Sequence, residues 1–246
     1  TEIYTLSLHD ALPISWDFVA PIWGFGIVGT TLHLLVLRAD GVCWEQMDLD
    51  ADLMTVVKAI YLDRWCSVQG VHDPVNDITT WTLPYAADET MDMVEPGSYQ
   101  SIIGFYRDGD VLKYKGNLSA YTMRIGVPFR SSYRPSRLFL KDAKGLSITT
   151  GRTQLRFMEL TFKNTGYFRV EAQAPGRDKM KALEYTSAVV GLSFIGAHAP
   201  TSGRAKAFIM ANSDSVTIDI INDNFMPMII EALTYTGFHS QLTRSI

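Results

Sequence analysis

The sequence predicts an all-β protein, built as an antiparallel sandwich or barrel-like sheets with hairpins and holding at most one or two short helices. Three observations lead there. Apolar and polar residues alternate wherever a pattern exists, the apolar runs are short and rich in β-branched or aromatic residues, and Asp, Asn or Lys stands beside Gly between them. Alternation marks a strand with one buried face, and such Gly pairs suit the tight turns of hairpins.

From the N-terminal side, "TLHLLVLR" reads as a strand that turns at "RADGV". "DLDADLMTVVKAIYLDR" then places Leu53, Val56, Val57 and Ile60 on one face behind Asp48, Asp50 and Asp52, a pattern that suits a short helix with acids at its positive end. Strands follow at "SIIGFYR", "DVLKYKG", "SAYTMRIGV" and "SRLFLKD", with hairpin turns expected at "YRDGDV", "KDAKGL" and "KNTGYF". In "GYFRVEAQ", Phe168, Val170 and Ala172 face one way and Tyr167, Arg169 and Glu171 the other. "GRDKMKALEY" could add one helical turn, and "RAKAFIMA", "DSVTIDIIND" and "MPMIIEALTY" complete the strands.

The first fifteen residues, "TEIYTLSLHDALPIS", stand apart. They lack the cationic start and unbroken apolar run of a signal peptide: the first basic residue is Arg38, and Pro13 interrupts the only apolar stretch. From Thr1 to Ile14 the peptide looks like the translation of a sequencing-library adapter, so residues 1–15 are expected to be non-native and to pack nowhere. The remaining 246 − 15 = 231 residues suffice for one large domain or two small ones. The domain organisation expected is a remnant of an upstream β domain over 16–50 and a C-terminal β domain over 51–246.

Without the two acids of that peptide, 22 Lys and Arg face 26 − 2 = 24 Asp and Glu, a net charge of −2. This is no footprint for gripping nucleic acid. Cys43 and Cys66 are too few for a disulfide framework or a zinc site and are expected to be reduced. Val19 to Leu37 is apolar, but Pro21, Gly24, Gly26 and Gly29 break it, whereas a spanning helix needs about 20 apolar residues in a row. No membrane-spanning segment is expected.

Motifs that suggest chemistry fail on their context. "GFGIVG" has dinucleotide-loop spacing but precedes a strand rather than a helix, so its glycines belong in a turn or bulge. Asp48, Asp50 and Asp52 open a calcium loop that then puts Leu53 and Ala59 where Gly and Glu are required. His33, His72, His198 and His239 stand in no metal or triad spacing. No catalytic, cofactor or metal residue is assigned, and no enzyme is expected. The many aromatics, among them Trp16, Trp23, Trp44, Trp65 and Trp81, fit a core or a subunit interface better than a sugar-binding floor.

A series of short landmarks resembles the C-terminal region of the tail tubular protein B, or nozzle protein, family of podoviruses. They are Glu45 with Met47 to Leu49; Leu62, Asp63 and Arg64; Asn76 to Thr80; Leu83, Pro84 and Tyr85; Leu140 to Asp142; Gly151, Arg152 and Leu155; Gly166, Tyr167 and Phe168 within a Thr165–Val170 hairpin; and Gly237 with Phe238. Their order across 16–246 carries the resemblance. The chain departs at Cys43-Trp44 and in a basic tail reduced to Arg244.

The resemblance implies a C-terminal fragment of a virion structural protein, assembled in the host cytoplasm into the distal ring of a short phage tail. Six copies are the number it suggests. DNA would pass through the ring without tight binding, and the ring would contact a tail adaptor ring protein and a tail fibre protein. The rival reading is a carbohydrate-binding or glycan-degrading tail component, which calls for an aromatic-floored groove with two carboxylates about 5 to 9 Å apart. A third is a structural β domain of a secreted protein.

Overall fold

The computed structural model describes residues 2–7, 20–38, 41–48, 60–85, 90–136, 140–141, 144, 147–148, 151–187 and 199–240. Among them there are strands and turns and no helix, so the all-β expectation holds. In chain order the strands begin with β1 (Glu2–Ser7), β2 (Ile22–Val28), β3 (Thr31–Arg38), β4 (Gly41–Asp48), β5 (Asp63–Gln69), β6 (Val71–Asp73) and β7 (Ile78–Thr82). Next come β8 (Asp92–Glu95), β9 (Gln100–Ser101), β10 (Tyr106–Asp108), β11 (Val111–Lys115), β12 (Thr122–Val127), β13 (Ser131–Tyr133), β14 (Leu140–Lys141) and β15 (Ser147–Ile148). The chain continues through β16 (Arg152–Thr165), β17 (Tyr167–Gln173), β18 (Met180–Thr186), β19 (Thr201–Asn212), β20 (Thr217–Asn222) and β21 (Ile230–Ser240). The helix expected around "DLDADLMTVVKAI" falls on 49–59, outside the described residues, as does the proposed boundary at 50/51.

Two compact units result. One comprises Thr1–Leu12, Arg130–Gly191 and His198–Ile246; the other, Pro13–Phe129 and Leu192–Ala197.

The first unit is a sandwich. One sheet runs β1-β21-β16-β19 and the other β13-β20-β17-β18, all neighbours antiparallel. Alternation aims Met158, Leu160 and Phe162 of β16, Ala207 and Ile209 of β19, and Leu233 and Tyr235 of β21 at Phe168, Val170, Ile218 and Ile220 of the opposing sheet, in one buried core. Phe162, Phe168 and Tyr185 meet ring to ring at centroid distances of 4.6 to 5.4 Å. The predicted two-faced reading of β17 holds: Phe168, Val170 and Ala172 are buried.

The second unit holds three sheets: β10-β11-β7-β6, β5-β12-β8-β9 and the meander β2-β3-β4. Trp81, Leu83 and Leu112 pack with Met93, Met123 and Ile125 as a second core. The turn at "YRDGDV" is a hairpin as expected, with Gly109 at φ +65° and Asp108 opposite Val111.

Three expectations are corrected. "KNTGYF" is not a hairpin, because β16 pairs with β19 and β21 while β17 pairs with β18 and β20. The chain changes sheets there: Thr165 is buried, its hydroxyl donates to a backbone carbonyl and accepts from the Ile229 N–H at 3.0 Å, and the Gly166 N–H donates to Pro227 O at 2.8 Å. "GRDKMKALEY" forms β18 from Met180 onward, since the open edge of β17 supplies a ladder that outweighs local helix preference. Residues Glu2–Ser7 do contact the fold, pairing with β21 from Gly237 to Ala232. An edge strand offers unpaired backbone groups to any extended segment, whatever its side chains.

Gly237 lies opposite Leu155, beside the bulge that squeezes Arg156 out of register, and a Cβ there would sit 2.4 Å from Gln154 O. Gly26 has nothing within 4 Å of such a Cβ. Gly237→Ala is therefore expected to destabilise by about 1–3 kcal/mol, with Gly26→Ala near neutral, as read by urea unfolding. Deleting residues 1–15 strips only exchangeable edge pairing, so the melting temperature should fall by no more than about 2–4 °C.

Candidate interaction surfaces

Fourteen of the landmark residues fall into three places. The first is a clamp in the second unit. Leu62 and Leu83 are buried, Asp63 and Pro84 are exposed, and Tyr85 donates its hydroxyl to Arg64 O. The Arg64 guanidinium lies 4.6 Å from the centre of the Tyr85 ring. Arg64 itself sits at φ +50°, an uncommon backbone for a non-glycine residue. Burial drives the Tyr85 phenol well above its usual range, reinforced by Cys66 alongside, and burial also raises the Cys66 thiol. Neither cysteine is in a disulfide, and a neutral, half-buried thiol such as Cys66 is a poor nucleophile.

From this clamp Arg64 reaches Glu45 at 4.0 Å, and Glu45 accepts two hydrogen bonds from Arg38 at 2.9 and 3.0 Å. The meander is thus tied to β5 through a carboxylate shared by two guanidinium groups. Its Leu34 and Val36 are buried. Trp23, Phe25, Ile27 and Trp44 are not, at 67%, 79%, 62% and 69% exposure. Gly29 makes the β2–β3 turn at φ +62°, Gly24 adjoins a bulge at Trp23, and Gly26 lies within β2. Gly24 and Gly29 thus take the turn-and-bulge use expected for "GFGIVG", while Gly26 does not. Trp44 donates its indole N–H to His33 Nδ1 at 3.1 Å and meets that ring edge-on. By register Phe25 and Ile27 share the face of Leu34 while Trp44 shares that of Leu35, so large apolar groups are exposed on both faces, which marks contact surfaces.

The second place is the β16–β21 seam, where Gly151, Arg152 and Leu155 run beside Gly237 and Phe238. Leu155 is buried in the core, while Arg156 lies over the exposed Phe238 ring at 5.3 Å. On the same outer face Phe157 meets Phe208 edge-on at 6.5 Å, Lys206 Nζ stands 5.1 Å from the Phe157 ring, and Met210 is exposed. Sequence reading had no role for Arg204, Lys206, Phe208 and Met210. The signal was present in "RAKAFIMA", whose charged, aromatic and thioether residues all fall on one parity.

The third is the corner. Gly166 leaves no room for a Cβ, which would meet the Met226 side chain at 2.6 Å. Tyr167 donates to Glu184 at 3.0 Å and Phe168 is fully buried. Nearby, Glu171 and Asp219 stand directly opposite each other on β17 and β20. Lys179 Nζ bridges them at 2.6 and 3.1 Å, and Arg134 adds a two-pronged contact to Asp219 at 2.7 and 3.0 Å. Arg134 and then Lys179 hold the Asp219 carboxyl below the usual range; Lys179 first, then Arg169, does so for Glu171. Two facing carboxylates are one part of what the glycan reading asks for, but the charge on these two is the reverse of a glycosidase's. A general acid needs one carboxyl kept protonated, and here both are held ionised. Beside Arg134 opens a cleft of about 350 Å³ lined by Ser136, Leu155, Ser213, Thr217 and the buried Tyr235. Among the described residues no group of His, Cys, Asp and Glu could hold a metal ion, and no helix is long and apolar enough to cross a membrane.

Folded-state values below the unfolded ones mean that Asp219 and Glu171 stabilise the fold fully at neutral pH. That contribution fades as pH falls below the ordinary carboxylate range of about 4 and through the depressed folded values. The melting temperature should therefore drop on the acid side, and Asp219→Asn should flatten that limb. At the clamp, Tyr85→Phe should cost about 1 kcal/mol in urea unfolding.

The model of one protein family, described as bacteriophage nozzle protein, matches residues 14–246. No curated protein matches the chain.

Proposed function

The chain belongs to the bacteriophage nozzle protein family, whose members are structural parts of the phage tail, and from this we propose that it builds part of the distal ring through which the viral genome leaves a short tail. Copies of the chain close the ring, which docks on an adaptor ring and carries fibre contacts. Assembly takes place in the host cytoplasm before the tail joins the virion.

The observation that carries this reading is the family match over nearly the whole chain. The surfaces support it. Two units of strand, each with its own core, expose aromatic groups on the meander and on the outer face of the β21–β16–β19 sheet, in the mixture of aromatics and Arg that interfaces favour. A conduit must also let DNA slide. A formal net charge of −4 does not clamp a phosphate backbone as a strongly basic chain would.

Reconstruction of isolated tails tests the reading. Density for both units is expected in a ring around the channel at the tail's far end. Finding them instead in a fibre or at the capsid would overturn it. In a filter-binding assay at physiological salt, duplex DNA should be retained no better than the weak non-specific range of about 10⁻⁴–10⁻⁶ M.

A further inference from the structure

We propose that neighbouring copies join head to tail, the outer face of the β21–β16–β19 sheet of one copy seating on the β2–β4 meander of the next. The proposal deepens the ring reading and rests on it.

Its first support is charge. The near-neutral total conceals two opposed halves. The unit containing Arg130–Gly191 and His198–Ile246, with Thr1–Leu12, carries 15 Lys and Arg against 11 Asp and Glu, 15 − 11 = +4. The other unit carries 7 against 15, 7 − 15 = −8, and the two add to the chain's −4. Pairing like units would set +4 against +4 or −8 against −8. Only unlike units bring opposite signs together, and complementary potentials both speed encounter and reject the wrong register.

The second support is what each half exposes. On the basic unit, Phe208, Met210 and Phe238 are 58%, 54% and 53% exposed. Arg204 and Lys206 beside them share one carboxylate, Glu159, at 3.6 and 3.4 Å, so the patch keeps positive charge in excess. On the acidic unit the meander offers Trp44, opposite the partly exposed Leu35, with Trp23 at the neighbouring bulge, and β2 carries no charged residue at all. In sequence, 16–60 holds six Asp and Glu against two Lys and Arg. Exposed indole faces are the preferred seat for a guanidinium or ammonium. A cation-bearing aromatic patch on the basic unit and exposed indoles on the acidic unit are complementary. Two different patches on one chain give a heterologous contact, the kind that builds rings.

Sedimentation velocity of the whole chain tests this with two variants. One carries Lys206→Glu and Phe208→Ser on the basic face; the other carries Trp23→Ser and Trp44→Ser on the meander. Wild type should self-associate, more weakly as salt rises. Each variant alone should lose at least about tenfold in self-affinity. An equimolar mixture should recover a 1:1 complex and nothing larger, because each variant keeps the half the other lacks. Wild-type oligomers that both variants still form would overturn the contact while leaving the ring reading standing. A wild type that stays monomeric would count against the ring and remove the contact with it. A meander variant that associates like wild type would show a like-with-like interface and also overturn the proposal. Circular dichroism melts check folding, and the single substitutions Arg204→Glu and Trp44→Ser form a second, gentler pair if either double variant unfolds.

Discussion

The first unit depends on one change of direction. At Thr165–Gly166 the chain leaves one sheet and enters the other, and both sheets share a single core, so their faces can meet only if this corner is tight. Burying the corner removes water from backbone groups that no ladder serves, and a buried unpaired group costs about 1–3 kcal/mol. The Thr165 hydroxyl answers for two strands at once, accepting from Ile229 N–H and donating back into the loop. Gly166 supplies the closeness that any side chain would prevent. With the corner fixed, β16 and β17 have their registers set, and the inward rows from Met158 to Phe162 and from Phe168 to Ala172 follow from alternation alone.

That division explains what could be read in advance. Strand existence and facing were legible because they are local: period 2 placed Phe168, Val170 and Ala172 in the core without knowledge of any partner. Partnership was not local. "KNTGYF" carries the same residue types whether the chain folds back on its neighbour or crosses to another sheet, and the choice rests on Met226, Pro227 and Ile229, about sixty residues away. "GRDKMKALEY" likewise holds good helix formers, and the vacant edge of β17 outweighed them. The candidate surfaces were half visible. Family landmarks flagged Arg64 and Tyr85 separately, but their stacking joins positions that sequence cannot bring together. The charge split needed the unit boundaries before it could be counted.

Three of the landmarks mark places where backbone geometry is difficult: a positive φ at Arg64, the bulge facing Gly237, the corner at Gly166. None presents a reactive group. Such residues fit the backbone to its turns and crossings, while Trp44, Arg204, Lys206 and Phe208, exposed on β4 and β19, lie outside the landmarks.

The pairing of Glu2–Ser7 with β21 carries a last consequence, one of timing. An edge that binds through its main chain reads no side chains, so it cannot choose among extended segments by sequence; the first to arrive occupies it. β21 is the last of the described strands to leave the ribosome. The open edge therefore comes into being only after every other described strand has been made, which shortens the interval in which a stray segment in a crowded cell could claim it.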